Sequence, residues 1–235
     1  MTIQAVLFDL DNTLTHRDQS VQAFSRHLLK SFTSQLNHQN DAEDALKTID
    51  IIRRIDNGGY PKKEYLTHPS IAASVAHALI QELKWDVPPS LATLTEFWFE
   101  QFGLSAVAMP GAGSLLKQLK QRDYKLAVIS NGGHATRLKI LEGLGFRHYF
   151  DDVFSSESVG IAKPKAEIFL HSCAQIKTVP QQSLYVGDHP INDYQGATQA
   201  GLQALLLNGF HPMNQTQAEN LKVIQHLDEV MHYLD

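Results

Sequence analysis

The sequence predicts an α/β fold, in which a Rossmann-like, doubly wound parallel sheet is interrupted by an inserted all-helical segment. Short apolar runs alternate with helix-length patterns in residues 1–14 and 108–235, which is typical of βαβ units. Because these runs are apolar throughout, they suit a sheet that is covered on both faces. Residues 15–107 have almost no strand pattern, so we expect them to form a separate helical unit.

Short apolar runs are predicted to be the strands of the sheet. The first covers residues 3–8, contains β-branched residues and stops at Asp9. The others cover residues 125–130, 152–154, 183–186 and 203–207, and the run over residues 152–154 is the weakest. Asp, Asn or Gly follows each of the stronger runs, and these residues commonly bound strands. We therefore expect polar groups to gather at the carboxyl ends of the strands.

Amphipathic helix patterns fill both parts of the chain. Beside the strands they cover residues 111–122, 134–144, 164–176, 192–200 and 217–234. In the strand-free part they cover residues 21–36, 42–55, 71–83 and 91–102. Pro164 suits a first helical turn, and Gly201 suits a helix C-cap. The C-terminal helix is predicted because one helical face would carry Val223, Leu227, Val230 and Leu234.

The composition excludes several classes of protein. The chain has 25 acidic and 20 basic residues, a net charge of −5, which argues against binding a nucleic acid polymer. Its single cysteine, Cys173, excludes an intrachain disulfide framework and a multi-cysteine metal cluster. No apolar run approaches the roughly 18 residues of a membrane helix, and the first residues lack a basic segment typical of a secretory signal. We expect a cytoplasmic protein that does not bind membranes.

Two carboxylates follow the first predicted strand. Asp9 and Asp11 lie two positions apart in a loop, so both can face one pocket. A carboxylate can attack phosphorus as a nucleophile, and a second carboxyl can protonate the leaving group and then activate water. Alternatively, the two residues only end the strand, as Asp often does.

Three further motifs follow later strands, at the edge where open α/β sheets bind ligands. The Ser130 hydroxyl and the N–H of Asn131 can hold a phosphoryl oxygen at a helix start, or Ser130 is a simple helix cap. Lys163 can neutralise a phosphoryl group, or it is a solvated surface lysine. Asp188 and Asp193 can bind a hard cation, or Asp188 only caps a helix.

Taken together, the four motifs resemble those of the haloacid dehalogenase-like (HAD) hydrolase superfamily. The matching residues, in chain order, are Asp9, Asp11, Thr13, Ser130, Lys163, Gly187, Asp188 and Asp193. The resemblance covers residues 1–14 and 108–235 as the catalytic core, and residues 15–107 correspond to the inserted cap of the helical-cap branch. Dehalogenating members of the superfamily lack the second aspartate of the first motif. Because Asp11 is present, the resemblance implies a phosphatase.

The resemblance implies a role for each residue of the first motif. Asp9 would attack the substrate phosphorus and form an aspartyl-phosphate, and Asp11 would act as general acid and then as general base. Thr13 would shape the loop, bond to Asp9 and support phosphate binding. Ser130, Asn131 and Lys163 would also bind the phosphoryl group, with Lys163 paired to Asp9.

The resemblance also implies Mg²⁺ as cofactor. Asp9, the backbone carbonyl of Asp11 and Asp188 would hold the ion. Asp193 is five positions after Asp188, whereas many relatives have Asp-x-x-x-Asp. This spacing leaves three roles open for Asp193, which are direct metal binding, binding through water and orientation of Lys163.

The cap would exclude water and contact the leaving group. Candidates for substrate contacts are His16, Asn57, Tyr60 and Lys62. Phe97 and Trp98 are also candidates, but we expect them to be packing residues.

The expected function is Mg²⁺-dependent hydrolysis of a small phosphorylated metabolite. Two alternatives remain open, a phosphomutase on the same scaffold and a catalytically idle binding or regulatory relative. A serine hydrolase is disfavoured because a nucleophile elbow needs Gly-x-Ser-x-Gly and Val128 stands two positions before Ser130.

Overall fold

We describe the chain from a computed structural model, which covers residues 2–37, 41–212 and 221–234. The chain divides into two compact units. The first, called the sheet unit, comprises Met1–His16 and Ala108–Asp235. The second, called the helical unit, comprises Arg17–Val107. The helices of the described residues are too short or too polar to cross a membrane.

The described residues of the sheet unit form one six-stranded sheet in the order β3-β2-β1-β4-β5-β6. The strands are β1 (Ala5–Phe8), β2 (Lys125–Ser130), β3 (Asp152–Ser155), β4 (Ser183–Gly187), β5 (Gln203–Leu207) and β6 (Val223–Ile224). All neighbouring strands pair in parallel. The strand order runs outward in both directions from the β1/β4 pair, so the doubly wound parallel fold is confirmed.

Helices connect the strands of this sheet. They are α5 (Ala112–Gln121), α6 (His134–Gly143), α7 (Ser156–Val159), α8 (Ala166–Gln175) and α9 (Gly196–Gln199), with a π-helix over Pro190–Gln195 before α9. Short 3-10 turns occupy Arg147–Tyr149 and Pro180–Gln182. Gly201 follows α9 with a φ of 87°, the left-handed conformation of a helix C-cap.

The central strands of the sheet are buried on both faces, which suits their largely apolar sequences. Every residue of β1 and β4 is buried. Leu7 and Tyr185 of these strands pack with Phe169 and Cys173 of α8 in one core cluster. Burial raises the pKa of the Cys173 thiol, and a hydrogen bond to Ser183 only partly opposes this. Cys173 is therefore an inert core residue.

In the part that the structure describes, the predicted helix over residues 217–234 is wrong as a single α-helix. Val223–Ile224 forms β6 at the sheet edge, and Leu227–Tyr233 forms a 3-10 helix; residues 217–220 of the prediction lie outside the described residues. Leu227 and Val230 are both buried, because a spacing of three places side chains on one side of a 3-10 helix. The same spacing also fits an α-helix, so the apolar pattern alone does not separate the two.

The helical unit contains four α-helices among its described residues. They are α1 (Arg17–Ser31), α2 (Asp41–Asp56), α3 (Ile71–Glu82) and α4 (Leu91–Gln101), with 3-10 turns at Thr33–Gln35, Asn57–Gly59, Lys63–Tyr65 and Gly103–Ser105. Ser70 and Ser90 cap α3 and α4 by accepting backbone N–H bonds, as N-cap serines do. No β-strand forms among the residues described in this unit.

Aromatic side chains dominate the core of the helical unit. Trp98 stacks on Phe102 with ring centroids 4.2 Å apart, and Phe24 meets both rings edge-on. Phe97 packs against Phe24 and Phe32. Phe97 and Trp98 are therefore packing residues, as the sequence predicts.

Candidate active site

The site lies where the strand order reverses. β1 and β4 are neighbours, and Phe8 stands opposite Val186 in the register, so Asp9 and Asp188 leave the sheet from adjacent strand ends. Ser130 ends β2 on the other side of β1. In open α/β sheets this crevice at the switch point is the usual ligand site. The topology thus brings the first, second and fourth motifs to one place.

The loop after β1 curls tightly around one carbonyl group. The Leu10 carbonyl accepts the backbone N–H groups of Thr13, Leu14 and Thr15 at 2.9–3.3 Å. Asn12 adopts the left-handed conformation, with a φ of 57°, which Asn tolerates better than most residues. The turn brings the Thr13 hydroxyl to 3.5 Å from Asp9 Oδ2. Thr13 thus bonds Asp9 from within the loop.

Lys163 joins the first and fourth motifs. Its Nζ donates to Asp9 Oδ1 and to Asp193 Oδ1, both at 2.6 Å. A third contact, at 3.0 Å, reaches the hydroxyl of Tyr185. Lys163 is 6% exposed, and Asp9 and Asp193 are also buried. The structure therefore brings together three of the residues that the sequence predicts, in a buried ionic cluster.

Burial and charge act in opposite directions on this cluster. Burial raises the pKa of Asp9 well above its ordinary value, although the charge of Lys163 opposes the change. Burial alone would lower the pKa of Lys163, but the carboxylates of Asp193 and Asp9 outweigh it and the pKa is raised. Burial likewise raises the pKa of Tyr185. Lys163 is therefore a permanent cation, and Tyr185 stays neutral.

Asp188 and Asp193 have different surroundings. Asp193 uses both carboxylate oxygens within the protein, because Oδ1 accepts from Lys163 and Oδ2 accepts the N–H of His189 at 3.0 Å. Asp188 Oδ2 lies 3.1 Å from His211 Nε2. Asp188 Oδ1 is buried and has no hydrogen-bond partner among the described residues. An unpartnered buried carboxylate oxygen is costly, so it points to a ligand outside the chain.

The π-helix fits the unusual spacing of these two acids. A π-helical turn holds more residues than an α-helical turn, and Tyr194 N bonds back to His189 O at 3.3 Å. The π-helix therefore accommodates the one additional residue between Asp188 and Asp193 relative to Asp-x-x-x-Asp. A side chain at Gly187 would place its Cβ 2.6 Å from Asp193 Oδ2, so the close approach of Asp193 requires glycine.

The acidic residues suit a divalent cation. Asp9, Asp188 and Asp193 each offer an oxygen, and these oxygens lie within 4.8 Å of one another. Hard oxygen donors of this kind are the ligands of Mg²⁺ and Ca²⁺. Asp9, Asp188, Asp193 and the nearby Asp11 face two side-chain cations, Lys163 and Arg137. At least one formal negative charge is left over even when His211 is protonated against Asp188, and Asp188 Oδ1 has no partner among the described residues, so the residues present fit such an ion.

The second motif is tied to the third by Asn131. Its amide donates to the Lys163 carbonyl at 3.1 Å and accepts the Lys163 N–H at 2.9 Å. The side chain of Asn131 is thus committed to positioning Lys163, and ligand binding by its backbone N–H stays a prediction. Ser130 is 2% exposed, and its hydroxyl lies 3.5 Å from Arg137 Nη1.

Three residues of the site are missing from the sequence-based predictions. Arg137 on α6 forms an ion pair with Asp11, Tyr185 contacts Lys163, and His211 contacts Asp188. His211 follows β5 by four residues, so the rule that polar residues gather after strands can find it. Tyr185 looks like an ordinary strand residue, and Arg137 looks like a helix surface residue. Nothing local in the sequence signals either one.

The remaining predicted residues lie in other surroundings. His16 belongs to the sheet unit, and its ring meets Phe210 edge-on at 6.1 Å. Asn57, Tyr60 and Lys62 belong to the helical unit and are exposed. Asn57 donates to the Tyr60 carbonyl at 2.7 Å. Substrate contacts by these residues stay predictions.

Comparisons with known proteins show the family to which the chain belongs. A family model described as haloacid dehalogenase-like hydrolase matches residues 3–201. The glyceraldehyde 3-phosphate phosphatase of Methanothermobacter thermautotrophicus is 39% identical over 99 residues, which are 42% of this chain and 44% of that protein. The enzyme of the same name from Methanopyrus kandleri is 26% identical over 202 residues, 85% of this chain and 82% of that protein. The chain spans about half the length of the first curated relatives.

A solved structure is similar over the whole chain. It is the structure of YfnB from Bacillus subtilis, described as a HAD-hydrolase bound to magnesium. The two are 25% identical with a TM-score of 0.69, and the match covers 100% of both chains.

Proposed function

Because the chain belongs to the haloacid dehalogenase-like hydrolase family, we propose that it hydrolyses phosphomonoesters of small metabolites with Mg²⁺ as cofactor. One observation carries this proposal. The buried cluster of Asp9, Lys163 and Asp193 stands beside Asp188, whose Oδ1 has no partner among the described residues. The cluster combines the candidate nucleophile Asp9, a lysine cation held by two carboxylates and an Asp188 oxygen suited to a metal ion, all at the switch point of the sheet.

Asp9 is the proposed nucleophile. Lys163 holds its Oδ1 at 2.6 Å, and the Thr13 hydroxyl lies 3.5 Å from its Oδ2. Asp9 forms a bond to phosphorus while the ester P–O bond breaks and the leaving oxygen takes a proton from Asp11. A water then attacks phosphorus, gives its proton to Asp11 and releases inorganic phosphate from Asp9. Both steps are typical of covalent catalysis by a carboxylate with a paired acid and base.

The cation would be held by Asp9, the backbone carbonyl of Asp11 and Asp188. When bound, it supplies positive charge that lets two anions approach and that stabilises charge on the phosphoryl oxygens. We assign Asp193 to the orientation of Lys163, since both of its oxygens already accept hydrogen bonds within the chain. Phosphoryl contacts are assigned to Ser130, the N–H of Asn131 and Lys163, with Thr13 in support.

The proposed substrate is a small phosphorylated metabolite. The support is that the relatives from Methanothermobacter thermautotrophicus and Methanopyrus kandleri are glyceraldehyde 3-phosphate phosphatases. Contacts to the part of the substrate beyond phosphorus are assigned to His16, Asn57, Tyr60 and Lys62 on the basis of the sequence.

A phosphate-release screen over phosphorylated metabolites tests this proposal. We expect release from at least one ester with Mg²⁺, and loss of release with EDTA. Asp9→Asn should lower turnover by at least about 10³-fold, since loss of a covalent nucleophile has effects of this order or larger. The circular dichroism spectrum should be unchanged. Turnover retained by Asp9→Asn or in EDTA would contradict the mechanism, and formation of an isomerised sugar phosphate in place of inorganic phosphate would indicate a mutase.

A further inference from the structure

The three N–H donors of Lys163 are all occupied by the protein. A lysine ammonium has three donors and no acceptor. Asp9, Asp193 and Tyr185 lie within 2.6–3.0 Å of Nζ and account for all of them. Lys163 can therefore provide charge to a phosphoryl group, but a direct hydrogen bond would require it to release one of these partners. The hydrogen bonds to the phosphoryl oxygens must come mainly from other groups.

Arg137 stands beside this cluster with donors to spare. It lies on α6, seven residues after the end of β2, and is 9% exposed. Its Nη1 donates to Asp11 Oδ2 and lies 3.5 Å from the Ser130 hydroxyl. Arg137 thus contacts one residue of the first motif and one of the second. A guanidinium carries five N–H donors in a rigid planar fork, so Nη1 uses only part of its capacity.

The Nε–H group of Arg137 is buried without a partner. Among the described residues, no acceptor lies within hydrogen-bond distance of Nε. A buried, charged donor left unsatisfied is costly, so we expect Nε to meet an acceptor that is not among the described residues. The same guanidinium contacts Asp11 and Ser130 through Nη1, so an acceptor at Nε would lie close to residues of the first and second motifs.

Gly132 leaves room for this guanidinium. A Cβ on Gly132 would lie 2.5 Å from Arg137 Nη2 and 3.0 Å from its Nε and Cζ. The φ of Gly132 is 134°, which also favours glycine. The guanidinium therefore lies against the backbone of the Ser130–Gly132 segment, to which the phosphoryl contacts are assigned. A side chain at position 132 would displace it.

We propose that Arg137 binds the phosphoryl group directly, as a substrate-binding residue that supplies the hydrogen bonds Lys163 has already used. This inference rests on the proposed function. The ligand class is a tetrahedral phosphate dianion, carried by the ester substrate and by the product, inorganic phosphate. Arginine suits this ligand because its planar fork matches two phosphate oxygens at once. Lys163 then contributes mainly its charge to the phosphoryl group while its hydrogen bond holds Asp9 in position.

The test compares four forms of the full chain, all with Mg²⁺ present. They are the wild type, Arg137→Gln, Arg137→Lys and the control Arg147→Gln, which removes an exposed arginine of the same unit. Isothermal titration calorimetry gives the Kd of inorganic phosphate, p-nitrophenyl phosphate gives KM and kcat, and thermal melts report folding. Arg137→Gln should raise the phosphate Kd and the KM roughly 10- to 100-fold, the range for hydrogen bonds to a charged group. Arg137→Lys should fall between this variant and the wild type, and Arg147→Gln should match the wild type.

Phosphate affinity decides between a binding role and a merely positioning one. If Arg137→Gln lowers kcat but binds phosphate as the wild type does, Arg137 only orients Asp11 and the inference is overturned. A wild type that binds no phosphate at millimolar concentration overturns it too. If Arg137→Gln does not fold, unchanged phosphate affinity in Arg137→Lys overturns the inference and weakened affinity supports it. The wild type could also bind phosphate but hydrolyse no ester. If Arg137→Gln then loses phosphate binding, the role of Arg137 is supported and the proposed function is refuted.

Discussion

Each unit of the chain buries charged side chains, but the buried charges are paired within the protein to different extents. In the helical unit, Arg17 meets Asp56 through two hydrogen bonds of 2.6 and 3.1 Å, and Asp56 also accepts the N–H of Gly59. One cation thus satisfies one anion. In the sheet unit, the buried acids outnumber the cations, and one oxygen of Asp188 has no partner among the described residues.

This difference separates a structural ion pair from a binding site. A buried charge is costly unless it is paired and hydrogen bonded. The Arg17–Asp56 pair meets this condition by itself, and it fixes the start of α1 to the end of α2. The acids of the sheet unit meet it only if a cation and a ligand are added. Incomplete pairing, rather than burial of charge alone, is therefore the feature that indicates function.

The largest stability effect is expected from breaking the paired cluster. Asp56→Ala removes the carboxylate that accepts two hydrogen bonds from the buried Arg17 guanidinium, which should lower the free energy of unfolding by about 3–5 kcal/mol. Urea denaturation followed by circular dichroism measures this change. The control is Asp18→Ala, which removes a pair with Arg53 whose side chains are 45% and 47% exposed.

The control should change the free energy of unfolding by less than about 1 kcal/mol, as exposed pairs do. Equal losses of stability from Asp56→Ala and Asp18→Ala would show that the buried Arg17–Asp56 pair stabilises the protein no more than the exposed pair. The contrast between the two units would then rest on the incomplete pairing in the sheet unit alone.

The sequence predicts much of the sheet unit and of its candidate site, because the local patterns are clear in the sheet. The runs that become β1, β2, β4 and β5 place mostly apolar side chains on both faces of the strand. Asp9 directly follows β1, and Asp188 directly follows β4. Since parallel strands end at one edge, convergence of the motifs follows from the topology. The four helices of the inserted unit are likewise recognisable from period and from the turns between them.

Other features depend on contacts between distant residues and leave no local signal. Arg137 pairs with Asp11 across 126 positions, and Tyr185 looks like any other residue of a buried strand. The prediction for the C-terminal residues is wrong for a different reason. The spacing of Leu227 and Val230 fits both an α-helix and the 3-10 helix that forms. Residues 223–224, just before this helix, form a strand because Val223 pairs with Leu206 at the sheet edge.

A smaller effect is expected at the incompletely paired cluster itself. His211 Nε2 lies 3.1 Å from Asp188 Oδ2 and helps to fix that carboxylate while Oδ1 remains for a cation. His211→Ala should weaken Mg²⁺ binding roughly 10- to 100-fold, the usual cost of losing a residue that orients a metal ligand. Isothermal titration calorimetry with MgCl₂ measures the Kd, and His171→Ala on the exposed side of α8 is the control.

Two results at His211 would count against this role. One is an unchanged Mg²⁺ affinity in His211→Ala. The other is an equal loss in His171→Ala, which would point to a general effect of removing a histidine.

Transfer of the phosphoryl group to Asp9 is the central claim, and trapping it is the most direct measurement. Asp11→Asn should slow hydrolysis of the covalent form, because it removes the base that activates water. The variant is mixed with Mg²⁺ and an ester from the screen, quenched in acid and digested for mass spectrometry. We predict that the peptide containing Asp9 gains the mass of one PO₃ group, and that the double variant with Asp9→Asn gains none. The same mass gain on another peptide, or in the double variant, would contradict the account.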